Sequence, residues 1–450
     1  MPTRASAFPV KKLTAAFLLC VRHARQWLMN FNPAHHGPGT RQLKLSEAEG
    51  ARFRTCLQRA GLPPIPEEFS VVPTPQTIRR ETIEEIEAFI RVFDAVTTRA
   101  AWVEQMLGEL QPAGRERREV CFFSAWDFHI PPNSPKGWQL IEFNDNGSGF
   151  MFAAGINRCF YELAGLEDDR SIEAIPQLAE FGHRLLKMVE QEARRFHDDI
   201  PDGLFLVLDD SESLQAGKFR REHLLLRDLV RQWGRSCAIG APEDLQWTGE
   251  ELVYRDTAVS FIVNRSTDFL WERETFAPLR LAHRRGNLYV APNPYTYATR
   301  SDKRLLQELS QPLRDHELGI TAVERAILSA HVAETHVITE DNVDELVERK
   351  GEFVFKPTHG FAGRGLLDSD AVGRRRIRRL LRKGQAYVAQ KKVAKLPMTA
   401  PGTEKRQLWT DLRVWAYRGE RFLLSGRAST RPDRLDLTPP GGWLPTFVRG

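Results

Sequence analysis

Nowhere does the chain carry an apolar run approaching 18 residues, so no membrane span is expected. Cysteine is scarce as well. Cys20, Cys56, Cys121, Cys159 and Cys237 are scattered, odd in number and without CxxC spacing. Neither a disulfide framework nor a structural zinc site is suggested, and a reducing, cytoplasmic compartment fits. An excess of one charge is also lacking: 64 basic against 59 acidic residues leave a formal +5, too little to argue for nucleic acid. The basic cluster Arg374 to Arg382 (RRRIRRLLR) alternates with apolar residues at helical spacing and reads as a solvated helix face. There is no internal repeat, no long low-complexity tract and no GxxxxGK[ST] phosphate loop.

What remains is the balance of an ordinary globular protein, with 42% hydrophobic and 27% charged residues. The 450 residues suggest roughly two or three folding units. Lys11 and Lys12 precede the apolar stretch Leu13 to Val21, an arrangement similar to a short signal peptide. Basic residues return at Arg22, His23 and Arg25 without a small-residue cleavage site, so export is not expected.

Residues 1–117 read as a mostly helical region, with Ile83, Ile86, Phe89, Ile90, Val92 and Phe93 setting a helical rhythm over Thr82 to Leu110. The strand-like segments Val120 to Ile130 and Trp138 to Asn144 flank the turn-rich PPNSPKG, a hairpin signature within a unit spanning 118–200. Helices follow from about Gly149 and over Ile175 to Arg195. Residues 201–300 alternate strands (Leu204 to Leu208, Cys237 to Ile239, Ser260 to Val263, Leu288 to Ala291) with helices (Glu222 to Trp233, Phe276 to Arg284). That alternation implies a small parallel sheet with crossover helices. Residues 301–450 open with helices and turn to strands at Phe353 to Phe355, Ala386 to Gln390, Leu412 to Tyr417 and Phe422 to Arg427, an α+β segment of antiparallel character.

The strongest local signal is EFVFKPTHGFAGRGLL, Glu352 to Leu367. A strand delivers Lys356, and Gly360, Gly363 and Gly365 follow within nine residues. Glycines let backbone N–H groups approach an anion, and a lysine beside them supplies a mobile charge for phosphate oxygens. Taken alone, a glycine-rich hairpin turn with an exposed lysine reads equally well. Two further stretches favour the phosphate reading. Tyr387 to Val393 is a strand running into a linker, suited to holding an adenine edge. Asp411 and Arg413 share one strand face and, with Arg427 on the return strand, could clamp a polyphosphate. Earlier in the chain, Asp127 and the pair Glu142 and Asn144 lie near the ends of adjacent strands and offer hard oxygens suited to Mg²⁺. Gly147 and Gly149 keep the following turn open for ligand approach.

Together these segments resemble the ATP-grasp superfamily, and their order resembles its circularly permuted branch, which includes glutathionylspermidine-synthase-like proteins. EFNDNG (from Glu142) precedes KPTHGFAGRG (from Lys356) by about two hundred residues, the reverse of the ordinary order. The resemblance covers roughly residues 118–450. It implies a permuted ATP-grasp fold of α+β and α/β character, with a small parallel α/β substrate-side domain at 201–300 and a helical N-terminal region. Lys303 of Ser301-Asp302-Lys303 and Lys356 would contact ATP phosphates. The loop Gly360 to Gly365, with His359 before it and Gly363 and Arg364 within it, would close over them. Gln390, Lys391, Lys392 and Val393 would border adenine, Lys391 standing where many relatives place an acidic residue. Arg413 and Arg427 would stabilise the transferred phosphoryl group, and Asp127, Glu142 and Asn144 would hold one or two Mg²⁺.

The implied activity is an ATP- and Mg-dependent carboxylate–amine ligase working through an acyl phosphate, with small-molecule or peptide carboxylate and amine partners and no nucleic acid or membrane. Such chemistry needs charge neutralisation and alignment rather than a nucleophilic side chain. Asp209, Glu212, Arg265, Asp268, His359 and Arg431 are open candidates for substrate contact, while His129 and His283 read as structural or surface histidines. A small-molecule or peptide kinase using the same ATP site and a non-catalytic binding protein are the alternatives. Substrate identity and oligomeric state are left open.

Overall fold

The computed structural model describes residues 47–59, 70–72, 74–108, 119–132, 137–286, 288–360, 365–399, 407–432, 435, 437 and 439–450. The signal-like stretch, most of the PPNSPKG turn, and Gly363 with Arg364 lie outside the described residues.

Helix α1 (Glu47–Arg59) precedes the short strand β1 (Gln76–Arg79). Helix α2 (Arg80–Thr97) then buries Ile83, Ile86, Phe89, Ile90, Phe93 and Val96 along one stripe, each side chain contributing roughly 1.5–3 kcal/mol of burial. The helical rhythm of this stretch is carried by two helices, α3 (Ala100–Leu107) starting afresh after a break at Thr98 and Arg99. Thr97 and Thr98 turn their hydroxyls back onto the carbonyls of Phe93 and Asp94, which competes with continuing the helix.

Strands β2 (Ala125–His129) and β3 (Gln139–Asn144) pair antiparallel, and helices α4 (Phe150–Leu163) and α5 (Leu178–His197) follow. The next unit is the alternating one: β4 (Leu204–Leu208), α6 (Ser211–Ala216), α7 (Arg220–Gln232), β5 (Cys237–Gly240), β6 (Leu245–Trp247), β7 (Leu252–Tyr254), β8 (Thr257–Asn264), α8 (Ala277–Arg285) and β9 (Tyr289–Ala291). Strands β5, β4, β8 and β9 are parallel, as crossover helices require, and β6–β7 adds an antiparallel hairpin at one side. In the last part, β10 (Thr335–Val337), β11 (Phe353–Pro357) and β12 (Tyr387–Lys391) form a small antiparallel sheet with β12 in the middle. Helices α9 (Val343–Glu348) and α10 (Arg374–Arg382) accompany it. On α10 Ile377 is buried, while Arg374 and Arg378 pair with Glu340, Asp344 and Glu348.

The remaining strands are β13 (Leu396–Thr399), β14 (Gln407–Tyr417), β15 (Glu420–Ser429), β16 (Gly442–Leu444) and β17 (Thr446–Arg449). The largest antiparallel sheet runs β16-β15-β14-β2-β3, with β13 also on β14. It therefore joins residues 125–144 to residues 396–444. One face of this sheet, including Trp126, Phe128, Leu140, Phe143, Leu412 and Val414, packs with the apolar stripe of α2. Alternation sends Asp127, Asp411 and Arg413 to the opposite face.

Cys56 and Cys159 form a disulfide between α1 and α4, closing a loop of 103 residues. This corrects the expectation that the cysteines carry no disulfide. The two lie on helices that pack against each other, a proximity that spacing along the chain does not reveal. Among the described residues no helix is long and apolar enough to cross a membrane.

Candidate functional site

The polar face of the large sheet is built one row at a time. Register places Arg413 opposite Asp127, and Asp127 opposite Glu142, so three charges lie side by side across β14, β2 and β3. A β-bulge on β3 then matters. Asp127 pairs with Glu142 but Phe128 pairs with Leu140, leaving Ile141 as the extra residue. Leu140 and Phe143 both stay in the core, while Ile141, Glu142 and Asn144 all line the cavity on the other side.

That cavity, about 1580 Å³, lies between the large sheet, the small sheet and the carboxyl ends of the parallel strands. Asp127 is its hub. Arg413 meets it edge to edge, and Arg427 reaches it at 3.0 Å while gripping Asp411 through Nη2 at 2.7 Å and Nε at 3.1 Å. Burial alone would raise the Asp127 carboxyl, but Arg413 and Arg427 together hold it well below the usual carboxylate range. Glu142 is likewise lowered: burial opposes ionisation, and the ammonium groups of Lys303 and Lys356 overcome it. Lys303 Nζ is 3.0 Å from Glu142 Oε1 and donates to the carbonyl of Gly360 at 2.7 Å, which ties the start of the glycine loop to the carboxylate row. Lys356 reaches across from β11, donating to Gln390 Oε1 at 2.5 Å and to the Ile141 carbonyl at 3.5 Å. Burial pushes its ammonium down to about 8, against the pull of Glu142.

Asp127, Glu142, Asn144, Lys303, Lys356 and Gly360 therefore meet in one cavity, together with Arg413, Arg427 and the segment Gln390 to Val393. His359 and Gly365 stand apart from it. His359 Nδ1 faces the Tyr297 hydroxyl at 2.9 Å, and Gly365 turns with φ 77° against the ring of Pro357. In the linker, the backbone N–H groups of Lys391 and Lys392 already donate to the carbonyls of Glu334 and Glu352. Lys391 and Lys392 also anchor their ammonium groups outward, on Glu334 and on the Gly351 carbonyl.

Some contributors went unnoticed in the sequence. Lys395 is buried and lines the cavity. His129, read as structural or surface, lies on the cavity wall with Nδ1 2.7 Å from the Val393 carbonyl, and burial pushes it down to about 4. Gly147 and Gly149 serve packing rather than ligand access. A Cβ on Gly147 would come within 2.3 Å of the Phe123 carbonyl, and one on Gly149 within 2.6 Å of the Trp443 ring.

The donors present suit Mg²⁺ held mainly by phosphate. Glu142 and Asn144 offer hard oxygens two residues apart, and Asp127 adds a carboxylate whose two oxygens already accept from arginines. Among the described residues no group of three His, Cys, Asp or Glu side chains gathers to hold a metal by itself. A small cation that keeps water and phosphate ligands needs only one or two protein carboxylates.

No family model matches the chain, and no curated protein matches it either. Solved structures do. A glutathione synthetase-like effector from Globodera pallida, in its apo form, is similar over 89% of this chain and 96% of its own, at 11% identity and TM-score 0.54. A candidate gamma-glutamylcysteine synthetase from Methylobacillus flagellatus covers 82% of this chain and 89% of its own, at 11% identity and TM-score 0.45. A RimK-domain ATP-grasp protein from Sphaerobacter thermophilus covers 50% of this chain and 91% of its own, at 15% identity and TM-score 0.26. The chain thus shares the fold of the Globodera effector nearly end to end, and the resemblance read from the sequence holds at the level of fold.

Proposed function

We propose that this chain is an ATP- and Mg-dependent ligase that joins a carboxylate to an amine. One observation carries the reading: Lys303, Lys356, Arg413 and Arg427 converge with Asp127 and Glu142 in a single large cavity. Cations in excess of carboxylates suit a polyphosphate, and a desolvated setting strengthens every one of these attractions. In this role Lys303 and Lys356 neutralise the phosphates, and Glu142 with Asn144 contributes to a magnesium shell. Bound Mg²⁺ would neutralise charge on the transferring phosphoryl group. Arg413 and Arg427, fixed by Asp127 and Asp411, would meet the γ-phosphate. A substrate carboxylate oxygen attacks that phosphorus and ADP leaves. The amine then attacks the acyl carbon, loses a proton and displaces inorganic phosphate. The chain's part is alignment and charge neutralisation.

Thermal unfolding of the full chain with and without Mg²⁺–ATP tests the nucleotide site. A ligand bound only to the folded state at 100 times its dissociation constant stabilises it by about 2.7 kcal/mol. A magnesium-dependent rise in melting temperature is expected, and none with ATP well above millimolar would sink the reading. Mass spectrometry of products from carboxylate and amine mixtures then separates ligase from kinase. Amide with ADP and phosphate supports ligation, whereas ADP with a stable phosphorylated acceptor makes the chain a kinase.

A further inference from the structure

The cavity extends beyond the phosphate-facing row to the carboxyl ends of the parallel strands, the usual binding edge of an open α/β sheet. Arg265 lies there, directly after β8, and its N–H donates to the carbonyl of Leu208 at the end of β4. Its guanidinium lies against the stacked rings of Phe123 and Phe150, 4.6 and 5.8 Å from their centroids. Nη2 donates to Glu222 Oε1 at 2.7 Å, but Nε and Nη1 are buried with no hydrogen-bond partner. Glu222 takes only Nη2 of the guanidinium and also accepts from the N–H groups of Gly149 and Met151 at the start of α4. Beside Arg265, the imidazole of His223 is 1% exposed and neither of its nitrogens makes a hydrogen bond. Its Nε2 stands 3.3 Å from Asp209 Oδ2 without a hydrogen bond.

Leaving guanidinium and imidazole N–H groups buried and unmatched costs on the order of 1–3 kcal/mol each, more when charged. Structural arginines do not normally carry that cost. An anion that meets Nε and Nη1 removes it, and a carboxylate has the matching geometry. Asp209 presents the opposite need: burial pushes its carboxyl up to about 7, and a cation at its side would restore the ionised form. The two needs lie side by side. We propose that Arg265, His223 and Asp209 form a recognition subsite for the α-amino-carboxylate group of an amino acid, the guanidinium taking the carboxylate and Asp209 the ammonium. This assignment rests on the ligase reading and names the substrate class for it. Asn146, on the loop after β3, donates to the Arg265 carbonyl at 2.9 Å, so the subsite adjoins the strand bearing Glu142 and Asn144.

The test is calorimetric titration of the full chain with each of the common L-amino acids, their amides and their N-acetyl derivatives, with Mg²⁺–ATP binding measured in the same samples. At least one L-amino acid is expected to bind, and blocking either end should weaken it tenfold or more. Arg265→Lys should abolish the preference for acid over amide, and Asp209→Asn the preference for free over acetylated amine. Asp209→Asn leaves the Arg265–Glu222 pair untouched, Arg265→Lys keeps a positive charge beside Glu222, and circular dichroism checks that both variants fold. Absence of amino-acid binding, or equal binding of the blocked forms, with Mg²⁺–ATP binding intact overturns the subsite and leaves the ligase reading standing. Amino-acid binding without Mg²⁺–ATP binding does the reverse.

Discussion

Arg413 and Asp127 face each other edge to edge across β14 and β2, with Nε to Oδ1 at 2.6 Å and Nη2 to Oδ2 at 2.7 Å. Such a fork is rigid, and it fixes where the guanidinium's remaining N–H groups point. Arg427 completes the arrangement by bridging Asp127 and Asp411. Two arginines are thus preset by two carboxylates before any ligand arrives, which is how a site avoids reorganising during a charge transfer.

Replacing the hub should be costly. Asp127→Asn leaves two buried guanidinium groups short of a counter-charge, a loss of roughly 3–5 kcal/mol for a broken buried pair. The pH dependence has a definite sign. The folded-state carboxyl lies below the unfolded value of about 3.9, so its stabilisation is present above about pH 4 and is lost as pH falls toward the folded-state value. Urea unfolding at pH 7 and pH 3 should therefore show a large wild-type advantage that shrinks in acid. A variant as stable as wild type at pH 7 would show that the pairs contribute nothing net.

Burial pushes the Lys356 ammonium well below the ordinary lysine range, and that makes it testable without destroying it. Its ammonium is lowered to about 8 from an ordinary value near 10.4. Burying the charged form costs stability below about pH 8, and this cost is relieved as pH rises toward 10. Phosphate binding runs the opposite way, because the lysine loses its charge over the same range. Mg²⁺–ATP affinity should weaken several-fold between pH 7 and pH 9.5, and Lys356→Arg should flatten the profile. A wild-type affinity independent of pH would remove Lys356 from the phosphate site.

How far the site could be read from the sequence depended on what each residue does locally. Lys356, Gly360 and the Glu142–Asn144 pair are legible because strand alternation and turn chemistry act over a few residues. The bulge at Ile141, which turns two consecutive side chains into the cavity, is a shift of register within the β2–β3 hairpin and leaves no mark on β3 itself. The same holds for Arg265 and Glu222, 43 residues apart and joined only by the fold. The hairpin β6–β7 turns near Gly249 (φ 101°), but its strands of three residues are too short for periodicity to stand out. Gly147 was legible as a glycine and misleading as to purpose, since the neighbours that forbid a side chain include Trp415, which comes close only when the sheet assembles.

Glu142→Gln separates metal from fold. The amide keeps the shape of the side chain and removes the negative charge that Lys303 and a magnesium ion would share. ADP release should fall by two orders of magnitude or more and demand higher Mg²⁺, while the melting temperature without nucleotide moves by only a few degrees. Full magnesium-dependent turnover in this variant would move the metal elsewhere.

The Cys56–Cys159 disulfide offers a test far from the charged cavity. It ties α1 to the buried face of α4 and closes a loop of 103 residues. Cross-linking a loop of that size restricts the unfolded chain by about 4.7 kcal/mol in the chain-entropy account, and removing a native disulfide typically costs 2–5 kcal/mol. Cys56→Ala should therefore lower stability to urea by a few kcal/mol under non-reducing conditions. Adding a reductant should bring the wild type down to the same level and leave the variant where it was. The contrast between the two chains matters more than either value, because the substitution also removes a half-buried sulfur from the α1–α4 contact while the reductant does not. Equal stability in both chains under oxidising conditions would mean that the thiols stay apart in solution, and the packing of α1 on α4 would then rest on apolar contacts such as those of Phe53, Leu57 and Phe160.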